Sequence, residues 1–321
     1  MTAASRPRDL DAGAIGLVLL LSALWGGNTV AVKIGVADAP PLALAWLRFV
    51  LGGACVVLWG WWTGAPFRLG PGEGWPLLGL GLLFTAQLGL LNVGTWLSTA
   101  GHAAVLLNVY PVHIVLLAHF LVPGDRLTWP KVGGVLLGYA GVLILFSREL
   151  LAPGSVGPTV LAGDLVLSAS ALLLGLRQVL LNRQLEFIHP VKPLCSQVLI
   201  GTPLFVLLSR VFESSPLRWT GRLAASLLYQ GVVIAGFNFI ASMGLLKRYR
   251  PSSLAAFALT TPLFGVVATA AVLGEPIGWT LGLAALLVAA GIAVASLFRD
   301  GLVAPSAAGR PSVVEDPPCA R

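Results

Sequence analysis

Charged side chains are scarce in this sequence. Asp, Glu, Lys and Arg make up 10% of its 321 residues, whereas hydrophobic residues make up 57%. A soluble domain carries about 25% charged residues, so this chain cannot cover itself with water-facing side chains. Its mean hydropathy of +0.89 agrees. The class left is an all-α integral membrane protein. No stretch fits a soluble domain, which argues against a receptor or a kinase-like sensor. The formal charge is +7, but the basic residues stand at the ends of apolar runs. That placement reads as orientation in a membrane, not as a nucleic-acid partner.

Cysteine is scarce as well. Cys55, Cys195 and Cys319 form no motif, and two lie inside apolar runs, where a thiol is a small packing residue. No His, Cys or carboxylate cluster has metal-ligand spacing, and no Ser/His/Asp or paired-carboxylate set stands out. No metal, cofactor or catalytic residue is therefore expected. The N-terminus does not read as a secretory leader, and a retained first span is expected: Arg6 and Arg8 mix with Asp9 and Asp11. The apolar run after them exceeds the ~7–15 residues of a leader's core.

Apolar runs are abundant. About 20 residues cross a bilayer, and ten runs qualify: 14–32, 41–62, 75–95, 100–122, 130–147, 160–181, 191–212, 223–245, 252–273 and 277–297. Residues 1–13 and 298–321 are read as tails, the second polar and disordered. The runs repeat. Asp125 and Glu275 stand 150 residues apart, as do Trp129 and Trp279, Gly141 and Gly291, Lys33 and Arg183, and Pro40 and Pro190. Pro111 and Pro262 stand 151 apart. One near-constant offset marks two copies of one unit, 14–147 and 160–297. Five spans per copy is odd, so the second copy enters the membrane from the other side, and duplicated inverted halves are a transporter architecture. With both termini cytoplasmic, thirteen Lys/Arg fall in cytoplasmic segments and five in outer ones. The expected setting is the plasma or inner membrane, in that orientation.

Polar residues inside spans face a bundle interior or a wet cavity, or else they stitch helices together. Ser22, Gly26, Thr29 and Lys33 share a face of the first span, with Trp25 adjoining. Thr85, Asn92, Trp96 and Thr99 do so in the third. Asp164, Ser168, Gly175, Gln178 and Asn182 share a face in the sixth, Asn238 and Ser242 in the eighth, and Ser253, Phe257, Thr260 and Phe264 in the ninth. The candidate substrate-binding set is Trp25, Asn28, Asn92, Trp96, Asn108, Gln178, Asn238, Phe257 and Thr260. Arg48 and Arg177 lie inside spans, either as structural contacts or as anion binders. Asp164, after Gly163, reads as a helix N-cap. His102 and His113 stand eleven apart on one face and are candidates for proton coupling, since imidazole titrates near neutral pH. Pro111 and Pro262 are expected to bend their helices. Gly134-x-x-x-Gly138 and Gly274-x-x-x-Gly278-x-x-x-Gly282 signal close helix contacts, either a seam between the halves or the interface of a homodimer.

The chain resembles the EamA-type carriers of the drug/metabolite transporter superfamily. The resemblance rests on Leu24-Trp25-Gly26-Gly27-Asn28 with Lys33, Pro40-Pro41, Arg48-Phe49, Pro111, Gly163-Asp164-Leu165, Thr261-Pro262-Leu263, Gly274-Glu275-Pro276 and Gly291. It covers residues 14–297. The chain departs from the family at Pro123-Gly124-Asp125-Arg126, where such carriers show Gly-Glu-Arg, and in a Leu-rich sixth span where a Trp is frequent. The resemblance implies ten helices in a five-plus-five inverted repeat. It also implies a cavity lined by helices one, three, four, six, eight and nine, and export or exchange of small metabolites such as amino acids by alternating access. The expected partners are a small-molecule substrate and the lipid bilayer. A membrane-embedded enzyme acting on lipid would need a nucleophile, carboxylate pair or metal set. A non-transporting scaffold would have no need of polar stripes.

Overall fold

The computed structural model describes residues 11–123, 126–151, 157–185, 187–238, 241–242, 245, 249 and 260–297. Phe257, Asp125, most of the expected tails and the start of the expected ninth span lie outside the described residues. The described elements are helical, with no strand among them.

In chain order they are α1 (Ala12–Gly35), α2 (Pro41–Trp62), α3 (Gly74–Leu97), α4 (Ala100–Leu107), α5 (Tyr110–Leu121), α6 (Trp129–Leu151), α7 (Pro158–Gln184), α8 (Val191–Phe212) and α9 (Gly221–Leu228). The last of these runs on as a π-helical segment, Tyr229–Asn238. Then come α10 (Thr261–Leu273) and α11 (Trp279–Leu297). Seven helical stretches are long and apolar enough to cross a bilayer, with Ala100–Leu121 counted as one, and α10 and α11 are shorter apolar helices. Large apolar side chains remain outside the packed interior, among them Leu58, Val50, Leu136 and Val267. Such a surface belongs against lipid, since water would oppose it. Trp61, Trp62, Trp75, Trp129, Trp219 and Trp279 are exposed at or near helix ends, where an amphipathic indole suits the membrane–water boundary.

Helix pairing follows the repeat. Extensive contacts join α6 to α11, α3 to α7, α2 to α8, and α1 to α10. Exchanging first-copy helices for their second-copy counterparts converts the α1–α10 contact into the α5–α7 contact, and α3–α8 into α2 against the π-helical segment, both of which are present. Gly134, Gly138 and Gly141 of α6 lie on α11. A Cβ at Gly134 would fall 2.6 Å from Gly291 O, and one at Gly141 2.8 Å from Ala284 O. Gly134-x-x-x-Gly138 is thus a seam within the chain. The second glycine motif is not a helix contact. Gly274 caps α10 in the left-handed region at φ 68°, Gly278 precedes α11, and neither Gly278 nor Gly282 has another helix within reach of a Cβ.

The expected single fourth span is broken. Pro111 has no N–H to give the carbonyl four residues back, and α4 stops at Leu107. The side chain of Asn108 folds back and donates to Ala104 O at 2.7 Å, meeting a carbonyl the break leaves short. The chain passes Val109 at φ −75°, ψ −13° and restarts with Pro111 in the first turn of α5. In the second copy Thr260 has φ −76°, ψ −14°, and Pro262 holds the same place in α10. Both prolines therefore sit at a helix start, where a missing N–H leaves no bond unmade.

Candidate functional site

A matching crossing stands at the start of α5 and at the start of α10. A Cβ on Gly26 of α1 would lie 2.8 Å from Thr261 O and 3.0 Å from the Phe264 carbonyl carbon. A Cβ on Gly175 of α7 would lie 3.2 Å from Tyr110 O and 3.4 Å from the His113 carbonyl carbon. Only a glycine lets the two backbones approach this closely. Each copy thus sends its first helix across the proline-started helix of the other.

Asn238 and Asn92 are fully buried. Asn238 Nδ2 donates to Leu21 O at 2.8 Å, tying the π-helical segment to α1. Tyr229 Oη does the same to Leu24 O at 2.7 Å. Asn92 Nδ2 donates to Pro41 O at 3.0 Å, tying α3 to the start of α2. The side-chain oxygens of Asn28 and Asn92 have no partner. Trp25 and Trp96 are about half exposed, at 46% and 53%. Leu21, Trp25 and Asn28 follow one face of α1, and the structure ties Asn238 to that helix at Leu21 O, while Thr260 precedes α10, which crosses α1 at Gly26. The structure does not bring in the rest. Asn92 and Trp96 stand toward the far end of α3, Asn108 is turned onto its own helix, and Gln178 contacts Asn182 one turn along α7 at 3.5 Å.

His102 and His113 lie on different helices, α4 and α5, and have different surroundings. His113 is buried against Gly175, with its ring 5.7 Å from that of Tyr139 and Nδ1 unpartnered. His102 Nδ1 is 2.7 Å from Asp164 Oδ2, and Ser98 Oγ donates to the other oxygen of the same carboxylate. Asp164 is therefore no N-cap: α7 starts at Pro158, and the buried carboxylate sits in its second turn facing α4. The acid–imidazole pair was missed because 62 residues separate its members. Arg177 and Gln197 were missed as a pair in the same way.

The few acids share one habit. Six acidic residues have described side chains, and every one of these reaches across to the other half. Asp38 meets Thr220 at 2.6 Å and Arg222 at 3.3 Å. Glu213 accepts from the backbone N–H groups of Leu42 and Ala43 at 2.7 and 3.0 Å, and Glu275 from those of Ala100 and Gly101 at 3.2 and 3.1 Å. These two carboxylates sit at helix N-termini, where negative charge is favoured. With Asp164 they close the face where α1 ends. Lys33 lies among them, donating to Thr95 O at 3.0 Å and to Ser98 O. On the opposite face Glu73 pairs with Lys192 at 2.7 Å, and Asp11 accepts from Tyr249 Oη at 2.9 Å. The Lys192 hydrogen bond, joined by the Gly70 N–H, holds the Glu73 carboxyl below the usual carboxylate range.

Paired repeats, matching helix crossings and a lipid-facing surface define a multi-pass membrane protein built from two copies of one unit. The chain belongs to the EamA-like transporter family, whose model matches residues 12–147 and 161–297. It is 24% identical over 278 residues to the uncharacterized transporter YoaV of Bacillus subtilis, covering 86% of this chain and 94% of that one. It is 27% identical to the probable amino-acid metabolite efflux pump of Escherichia coli, over 86% of this chain and 92% of that one. To the aromatic amino acid exporter YddG of Ancylobacter novellus it is 28% identical, over 88% and 96%. A protein crystal structure aligns with a TM-score of 0.64 at 23% identity, covering 89% of this chain and 98% of that one, which shows the shared fold.

Proposed function

We propose that the protein is a secondary carrier that moves a small organic metabolite, an amino acid or a similar compound, by alternating access in export or exchange. In this reading ten spans form a five-plus-five inverted repeat in the cell membrane with both termini cytoplasmic. The observation that carries it is the pair of matching crossings, Gly26 on Thr261 and Gly175 on Tyr110, each at the start of a helix with proline in its first turn. Paired helix breaks in corresponding positions of two halves are where carriers of this architecture place their substrate. The names of the amino-acid exporters among the relatives support the substrate class.

Trp25, Asn28, Asn238 and Thr260 form the core of the proposed site. Asn92, Trp96, Asn108, Gln178 and Phe257 complete the wider set. The helix starts at Pro111 and Pro262 are the points about which the halves rock. His102 and His113 are the proposed proton carriers, and the contact of His102 with Asp164 across the copies gives a proton a place that would change as the halves separate. The side on which α1 ends, closed by four carboxylates, is the outer side.

Proteoliposomes offered a whole-cell small-molecule extract, with and without a pH gradient, test the reading. Retained compounds are identified by mass spectrometry against protein-free vesicles. The expected result is selective accumulation of one chemical class. No accumulation under either condition, by protein shown to be folded and inserted, would remove the carrier reading.

A further inference from the structure

Two guanidinium groups lie inside the helical bundle, Arg48 buried and Arg177 partly buried, and no described carboxylate accompanies either. Asp11, Asp38, Glu73, Asp164, Glu213 and Glu275 are all engaged elsewhere. Arg48 of α2 is 9% exposed, and its Nη1 has no partner. Its face of α2 is turned to the π-helical segment, because Gly52 one turn on lies against Ala235. Arg177 of α7 is better surrounded. Its Cζ lies 4.6 Å over the ring of Phe84, which stacks on Phe49 with centroids 5.4 Å apart and planes 6° from parallel. Nη1 of Arg177 reaches Gln197 Oε1 of α8 at 3.5 Å, a long contact at the limit of a hydrogen bond.

The arrangement leaves donors unspent. Arginine carries five N–H donors and no acceptor, and here Nε is buried without a partner. Gln197 is 3% exposed, and its Nε2, on the same amide that Arg177 approaches, is unpartnered too. A cation stacked on an aromatic face recovers part of its lost hydration, but stacking supplies no acceptor in the guanidinium plane. Burying a charge with its donors unmet is strongly disfavoured. A chain that wanted only a helix clamp would place Leu or Met there, as buried ion sites tolerate apolar replacement. Two adjacent donor groups, one of them charged, match the two oxygens of a carboxylate.

We propose that Arg177 and Gln197, seated on the Phe84–Phe49 stack between α3, α7 and α8, form a buried anion subsite that takes the carboxylate of a small organic acid or amino acid. The inference rests on the carrier reading and specifies which end of the substrate is held and by what. The aromatic pair gives the apolar part of such a molecule a surface beside its charged end.

Binding to the full chain in lipid nanodiscs tests it, with benzoate, L-leucine and L-phenylalanine each paired with its neutral amide, and with inorganic phosphate as a carbon-free anion. The expected result is that at least one acid binds tenfold or more tighter than its amide. Arg177→Gln should erase that preference, and Gln197→Leu should lower acid affinity several-fold with amide affinity unmoved. The second variant keeps the charge and the aromatic stack, so it reports even where the first fails to fold. Equal binding of acid and amide, an acid preference that survives both substitutions, or binding of phosphate alone would each overturn the subsite. Absence of acid selectivity in the unsubstituted protein would remove the subsite and leave the carrier. A protein that binds acid through Arg177 yet transports nothing would remove the carrier and leave the subsite.

Discussion

Gly134 and Gly291 meet backbone to backbone. A Cβ on Gly134 would fall 2.6 Å from the carbonyl oxygen of Gly291, and a Cβ on Gly291 would fall 2.6 Å from that of Gly134. At the repeat offset of 150 this contact maps onto Ala284 and Gly141, where a Cβ on Gly141 would fall 2.8 Å from Ala284 O, as a pseudo-two-fold axis between α6 and α11 would produce. Without a hydrophobic drive between helices in lipid, close packing of small residues holds such a pair. Gly291→Ala is expected to lower stability by about 1–3 kcal/mol through overpacking, seen as a drop in the thermal midpoint in detergent. Gly133→Ala, one residue from the seam with nothing within 4 Å, serves as the control and should change little. Equal midpoints for the two variants would contradict the seam.

Much of this frame was readable in the chain itself. Prolines, glycines and tryptophans carry backbone and boundary roles that any fold of this length must use, so their near-constant offset betrayed the duplication before any contact was known. Pro111 and Pro262 pointed to the helix starts for the same reason. What stayed hidden was pairing between distant faces. Periodicity along one helix says which residues share a face, not which foreign face they meet. Asp164 therefore read as a cap when it is a partner of His102. Asn108 read as a site residue, and its bond to Ala104 O in its own helix had no signal in the sequence. The π-helical segment from Tyr229 had no local signal either, since wide turns are stabilised by what packs on them. Here Tyr229 and Asn238 both reach α1.

The four carboxylates at the face where α1 ends should act as a closure. Glu275 has two acceptor oxygens for two N–H groups. Glu275→Gln leaves one acceptor and removes the charge at a helix N-terminus, a loss of about 1 kcal/mol and several-fold in the balance between closed and open. Leu97→Cys, in a chain with Cys55, Cys195 and Cys319 replaced by Ala, gives the readout. Its alkylation by a membrane-impermeant reagent should speed up several-fold when Glu275→Gln is added. An unchanged rate would mean that the face is held shut by something else.

Asn238 separates the transport role from the structural one. Its bond to Leu21 O is interhelical, and such bonds in membranes average about 0.6 kcal/mol, too little to decide whether the bundle forms. Asn238→Leu is therefore expected to insert and fold yet lose transport, and Asn92→Leu to behave alike. Vesicle uptake, normalised to folded protein by size-exclusion profile, measures both. Transport at the wild-type rate in both variants would sink the assignment of these amides to the substrate path.

The Glu73–Lys192 pair on the opposite face predicts an acid-sensitive contribution. Lys192 and the Gly70 N–H hold the folded Glu73 carboxyl below its ordinary value, so the unfolded chain takes up a proton first as pH falls. The contribution is complete above the unfolded value of about 4.3 and is lost as pH drops below it through the lowered folded value. The pair sits at a helix start with the Glu73 side chain 15% exposed, and the effect should shrink in high salt to the extent that solvent reaches it. Thermal midpoints in detergent from pH 7 to pH 3 would compare the wild type with Glu73→Gln. The wild type should stand above the variant by a constant margin from pH 7 to about 5, and the curves should converge as pH falls further. A margin that persists at pH 3 would mean that the contact between the starts of α3 and α8 depends on shape and not on charge.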